Sequence, residues 1–203
     1  MITTYIFDFG NVLANFYPEK LTAPYVNDEA ERKYLADIIF DRSIWDKLDD
    51  GTYSDEDAKR EICKRLPAEK HELACKIYDN WIDNLTPVAG MCELIADIRR
   101  KGDKKLYLLS NINRGFAANF KNTPWVKELL DSFDGLVLTG TLGIVKPTRE
   151  IFEYMFNTFG LKAEECIFVD DSEKNIKGAQ AVGITGYLFD GDAEKLRIFL
   201  QNN

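Results

Sequence analysis

The chain has 203 residues, 45% hydrophobic and 30% charged, a balance that suits a folded core with at most a small appended domain. With 26 Lys and Arg against 34 Asp and Glu, the formal charge of −8 argues against nucleic acid as a partner, because phosphate-backbone binding needs clustered cations. No run approaches a membrane-spanning length, the N-terminus lacks a basic region followed by a long apolar segment, and Cys63, Cys75, Cys92 and Cys166 form no C-x-x-C pair. Reduced thiols, no membrane partner and a cytoplasmic location are therefore expected.

The first predicted element is a buried strand in "YIFDF", ended by Asp8 and followed by Gly10. Residues 16–85 then show charged helical patterns and no convincing period-2 strand. Ser54 with Asp57 resembles a capping box that opens the helix "DEDAKREICKRL". Pro67 suits the first turn of a following helix through "KIYDNWIDNL". Tyr25, Tyr34, Trp45, Tyr78 and Trp81 are expected to form the small core of this segment. His71, the one histidine, lies in the charged stretch "AEKHELA" and is read as a solvated helix position without a role.

From residue 86 onward, short apolar runs alternate with amphipathic segments, the pattern of βαβ units and a parallel sheet. The strands are "KLYLLS", "GLVLTG", "CIFVDD" and "TGYLF". Val88, Met91, Leu94, Ile95 and Ile98 share one helical stripe, and Ile151, Phe152, Met155, Phe156 and Phe159 another. Gly102 and Gly160 mark helix ends. The predicted fold is α/β, a doubly wound, Rossmann-like parallel sheet formed by residues 1–15 and 86–203. A small helical cap, residues 16–85, is inserted after the first strand. Such an insertion would overhang the carboxyl edge of the sheet, where open α/β folds bind ligands.

Polar residues follow four of the five strands: Asp8, then Ser110 and Asn111, then Lys146, then Asp170 and Asp171. Each alone could be a helix cap or a loop residue. Their joint placement at one sheet edge is what that explanation leaves unaccounted for. Three carboxylates within ~4–6 Å of one another repel by several kcal/mol at an effective dielectric of ~20, so the cluster requires protons or a cation. All-oxygen ligation without His or Cys favours Mg²⁺. Lys146, the Ser110 hydroxyl and helix-start N–H groups would complete a cradle for a dianion, and a free carboxylate could attack it.

The order "FDFGNVL", "LLSN", "GIVKP" and "FVDDSEKNI" resembles the four motifs of the haloacid dehalogenase superfamily, from residue 5 to about 188. Within it, "LSNINR" and "LGIVKPTREIFEYM" are most similar to the branch of α-D-glucose-1-phosphate phosphatases. The resemblance implies a Mg²⁺-dependent phosphatase acting on a small phosphorylated metabolite, such as glucose 1-phosphate, through an aspartyl-phosphate at Asp8. It further implies Ser110 as a phosphate donor, Asn111 as a substrate contact and Lys146 as the neutralising cation. Asp8, Asp171 and the Gly10 carbonyl would hold the metal, with Asp170 a direct or water-mediated ligand.

Two positions depart from the family pattern. Asn175 replaces an aspartate four residues after Asp171, lowering the negative charge by one without abolishing the site. Gly10 stands where most of these phosphatases carry a second aspartate, the general acid–base, whose contribution is typically ~10² to 10⁴ in rate. A leaving group that needs little protonation, such as the anomeric oxygen of a sugar 1-phosphate, would relax that requirement, with a metal-bound water, Asn11 or a cap residue supplying the rest. A phosphate-binding regulator without turnover and a metal-independent dehalogenase are the alternatives, although a dehalogenase has no need of the Asp170–Asp171 pair. Monomer and dimer are both open.

Overall fold

The computed structural model describes all 203 residues. In chain order the elements are β1 (Thr4–Phe7), β2 (Ala14–Asn15), α1 (Pro18–Thr22), α2 (Glu29–Ile39), α3 (Arg42–Asp49), α4 (Asp55–Lys64) and α5 (His71–Asp79). They are followed by β3 (Thr86–Pro87), α6 (Met91–Lys101), β4 (Lys105–Ser110), α7 (Arg114–Asn119), α8 (Pro124–Asp131) and β5 (Gly135–Leu138). The chain ends with α9 (Arg149–Phe159), β6 (Cys166–Asp170), α10 (Glu173–Ala181), β7 (Thr185–Leu188) and α11 (Ala193–Gln201).

Five strands form one parallel sheet in the order β5-β4-β1-β6-β7. The chain starts in the middle, winds out to one edge and returns to build the other, so the predicted doubly wound sheet is the one observed. Side chains alternate between two apolar layers, as the pleat demands. Tyr5, Phe7, Leu106, Leu108, Ile167 and Val169 face one layer. Ile6, Tyr107, Leu109, Cys166 and Phe168 face the other, against Ile151, Phe152 and Met155 of α9. Gly102 and Gly160 end α6 and α9 in the left-handed conformation, at φ of +71° and +66°.

All five helices between β2 and β3 lie in the segment read as strandless. β2 and β3 themselves form a two-residue antiparallel ribbon, Ala14 opposite Pro87 and Asn15 opposite Thr86, at the place where the chain leaves the sheet region and returns. The Ser54–Asp57 capping box is present at the start of α4. The aromatic expectation needs correction: Tyr34 is 43% exposed, because it points away from the stripe of Leu35, Ala36 and Ile39 that α2 buries. Nor does the segment have a core of its own. Trp45, Tyr78 and Trp81 belong to one apolar cluster that continues through Phe9 and Leu13 into the sheet layer.

The helix after Pro67 is also displaced. Pro67 precedes a short 3-10 turn, α5 begins at His71 and ends at Asp79, and "WIDNL" is not helical. His71 is half-buried, with Nε2 3.0 Å from the Leu66 carbonyl oxygen. All four cysteines are free, Cys63 and Cys75 facing each other with 3.9 Å between sulfurs.

Candidate active site

Strand register brings the first two acids together. Phe7 is paired with Val169 and with Leu108, so Asp8 emerges beside Asp170, and Ser110 lies one residue beyond on the other neighbour. The Asp8 N–H donates to the Val169 carbonyl at 2.9 Å, extending the ladder by one residue. A one-residue slip of either strand would turn one of these carboxylates to the opposite face.

Lys146, in the loop before α9, inserts its ammonium between the two acids. Nζ lies 2.8 Å from Asp8 Oδ1 and 2.7 Å from Asp170 Oδ2, and 5.3 Å above the centre of the Phe168 ring. The lysine side chain is 1% exposed. Its backbone is fixed by Asn111, whose amide donates to the Lys146 carbonyl at 3.0 Å and accepts from the Lys146 N–H at 2.8 Å. Asn111 does line the cavity, but half of its side-chain hydrogen-bonding capacity, one donor and one acceptor site, is committed to holding this loop.

Asp170 is fully buried and saturated. Its oxygens receive Lys146 Nζ, the Ser172 N–H at 2.8 Å and Asn175 Nδ2 at 3.1 Å to each oxygen, which fills the four lone-pair sites of a carboxylate. Asp171 is more open, touched by Asn11 Nδ2 at 3.2 Å. One carboxylate oxygen from each of Asp8, Asp170 and Asp171 falls within 4.8 Å of the others. Three carboxylates and one ammonium leave a formal charge of −2, which a divalent, oxygen-seeking cation would cancel.

Burial pushes the Asp8 carboxyl up to about 6 despite the opposing pull of Lys146, with Asp170 adding to the rise. Burial also raises Asp171, with Asp170 adding to it. For Lys146, burial pulls the ammonium down, but Asp8 and Asp170 outweigh it and the net displacement is upward. The lysine therefore stays charged, and the acids retain a deficit that a cation would relieve.

A cavity of about 590 Å³ opens above this cluster, and Asp8, Gly10, Ser110, Asn111, Lys146 and Asp171 all line it. Its far wall comes from the helical insertion. Phe16, Trp45 and Trp81 pack edge-to-face at 5.2–5.7 Å between centroids, and Arg42, Asp46, Asp49 and Asp50 bring charge to the same wall.

Several of these contributions had no sequence signal. Asp49 reads as an ordinary helix-end residue. Asn11 has a left-handed φ of 54°, which asparagine tolerates, and links Asp171 to the Phe16 N–H at 3.0 Å. Gly178, on α10, sits where a Cβ would be 2.6 Å from both Cβ and O of Pro147. Only glycine lets the helix carrying Asn175 approach the Lys146 loop this closely. Gly10 is different, since a Cβ there would meet nothing within 4 Å.

A Rossmann-like sheet with acids at the carboxyl ends of two adjacent strands, bridged by a lysine from a third crossover, defines a hydrolase-type α/β site. Residues 2–183 match the haloacid dehalogenase-like hydrolases, and the chain belongs to that family. A sesquiterpene phosphatase of Aspergillus oryzae is 29% identical over 92% of this chain and 90% of its own. The D-ribitol-5-phosphate phosphatase of Bacteroides thetaiotaomicron is 27% identical over 90% and 89%. The fold is shared with a haloacid dehalogenase family enzyme from Bacteroides thetaiotaomicron, solved with magnesium and inorganic phosphate. That structure has a TM-score of 0.70 at 23% identity, covering 97% of this chain and 99% of the other.

Proposed function

We propose that this chain is a Mg²⁺-dependent phosphatase of a small phosphorylated metabolite, a sugar phosphate such as glucose 1-phosphate, working through an aspartyl-phosphate on Asp8. The observation that carries it is the Lys146 ammonium held between Asp8 and Asp170 on the floor of a cavity, with Asp171 alongside. Named phosphatases among the relatives support the same reading.

The donor set suits Mg²⁺. Asp8, Asp171 and the Gly10 carbonyl would hold the metal, whereas Asp170, its acceptor sites filled, would act through Lys146. When bound, Mg²⁺ supplies charge neutralisation that lets a phosphate dianion approach the acids. One oxygen of Asp8 attacks phosphorus, and the bond from phosphorus to the leaving oxygen breaks. Lys146 and the Ser110 hydroxyl stabilise charge on the transferring oxygens. Water then attacks the aspartyl-phosphate, releasing inorganic phosphate and restoring the Asp8 carboxylate.

Residues 16–85 act as the cap over a core of residues 1–15 and 86–203, with the β2–β3 ribbon at the junction. The cap wall supports a polyol occupant, since carboxylates accept from hydroxyls and aromatic faces cover the C–H side of a sugar. The Phe16–Trp45–Trp81 cluster equally favours a second reading, the phosphate of an apolar alcohol. Phosphate release from glucose 1-phosphate, ribitol 5-phosphate and a prenyl phosphate, in Mg²⁺ and in EDTA, tests both. Release that requires metal and vanishes in Asp8→Asn is expected. Folded protein that releases none from any of the three, or that works equally well in EDTA, would refute the proposal.

A further inference from the structure

Gly10 leaves the active site without a proton donor at the position two residues past Asp8, and the glycine is not there for steric reasons. A Cβ would meet nothing within 4 Å, and Gly10 is not among the glycines with positive φ. The position is thus free of a donor for no packing reason, and a carboxyl group on the cap wall of the cavity is a source to examine.

The acids on the cap wall are easily sorted. Asp46 is 63% exposed and paired with Arg42. Asp50 accepts from the Thr52 N–H at 2.8 Å. Asp49 alone is buried, with its side chain 8% exposed, and no hydrogen bond reaches its carboxyl. Its one ionic neighbour is Arg42, 3.9 Å away and 69% exposed. The Asp49 carboxyl therefore opens onto the cavity without a hydrogen bond from the protein, where it is free to meet an occupant.

Asp49 is also held rigidly against the core. The Thr139 hydroxyl, fully buried after β5, accepts from the Ile112 N–H at 3.2 Å and donates to the Asp49 carbonyl at 2.7 Å. The end of α3 is thereby tied to the loop that follows Ser110 and Asn111. The tether fixes the backbone of Asp49 relative to the loop that carries Ser110 and Asn111, so its side chain starts from a set place on the cavity wall.

We propose that Asp49 is the acid–base residue of this site, delivered from the cap in place of the side chain missing at Gly10. The assignment rests on the phosphatase reading above. As Asp8 attacks phosphorus and the ester P–O bond breaks, the Asp49 carboxyl gives its proton to the leaving oxygen, releasing the neutral alcohol. The resulting carboxylate then takes a proton from the water that attacks the aspartyl-phosphate, so Asp49 ends the cycle protonated.

The electrostatic surroundings agree. Burial raises Asp49 to about 8, with Asp46 and Asp8 adding to the rise and Arg42 and Lys146 opposing it. Tyr78, from α5, keeps its hydroxyl on Asp55 at 2.7 Å and leaves Asp49 unbonded. At neutral pH the group is a proton donor, and the C-terminal end of α3 favours that form further.

The test compares kcat/KM in Mg²⁺ for an alkyl phosphate and for p-nitrophenyl phosphate, since kcat/KM reports steps through ester cleavage and nitrophenolate needs no proton to leave. Asp49→Asn should lose ~10² to 10⁴ on the alkyl ester and under about threefold on the aryl ester, with Asp49→Glu restoring part of the loss. Equal losses on both esters, or none on either, would overturn the assignment. The unaltered enzyme gives a reading that needs no variant: its alkyl activity should fall above pH about 8 while its aryl activity does not. Parallel pH profiles would also overturn it. These results separate from failure of the phosphatase reading, in which the unaltered enzyme would hydrolyse neither ester and the assignment would fall with it.

Discussion

Replacing Lys146 with methionine keeps most of the side-chain volume and removes the charge that joins Asp8 to Asp170. At 2.8 and 2.7 Å, each contact is worth about 6 kcal/mol of gross attraction at an effective dielectric of ~20, offset by several kcal/mol for burying the ammonium. The variant also leaves two adjacent carboxylates, one of them fully buried, without a counter-ion. The net destabilisation expected is about 3–5 kcal/mol at pH 8 in EDTA, the range for breaking a buried pair from one side. The sign with pH follows from the acids. Without Lys146 the Asp8 pKa, already raised to about 6, rises further above the unfolded value, so protonation of Asp8 relieves the repulsion as pH falls. Urea unfolding at pH 5 and pH 8 measures this, with a smaller loss at pH 5 and partial recovery when Mg²⁺ is added at pH 8. A loss under about 1 kcal/mol at pH 8, or one unchanged between the two pH values, would refute the electrostatic account of the site.

Asp49 carries a separate stability signature. Its folded pKa of about 8 lies above the usual unfolded value, so it withdraws stability as pH rises from about 4 to about 8. Asp49→Asn should remove that slope and unfold at higher urea than the unaltered protein at pH 8.5, and identical pH profiles would contradict it. Gly178→Ala should lower turnover by about tenfold or more while costing ~1–3 kcal/mol of stability, because its Cβ would collide with Pro147 and displace the Lys146 loop. Turnover unchanged beside a measurable loss of stability would show that the close approach serves packing alone. Limited proteolysis of residues 16–85 should slow when beryllium fluoride and Mg²⁺ occupy the site, and equal cleavage with and without them would count against cap closure.

Much of the fold was legible because its signals are local. Short apolar runs such as "KLYLLS" and "CIFVDD" became β4 and β6, and Gly102 and Gly160 ended their helices as the sequence predicts. The small ribbon of Ala14–Asn15 with Thr86–Pro87 was not legible, since two-residue strands leave no periodicity to read. Helices α7 and α8 escaped notice for a similar reason: at six and eight residues they are too short for a clear stripe.

For the site, the sequence by itself determined the inventory: Asp8, Ser110, Lys146, Asp170 and Asp171 at strand ends, and the gap at Gly10. It did so because the carboxyl edge of an open α/β sheet, where strands stop and backbone N–H groups are free, is where such folds bind ligands. Only the tertiary structure decided how those residues divide their work. Asn111 grips the Lys146 backbone, Asp170 is saturated while Asp171 stays open, and Asp49, from a helix about forty residues away in the chain, faces the cavity unbonded. Burial and the absence of a hydrogen-bond partner are properties of the packed whole, and no stretch of sequence around Asp49 encodes them.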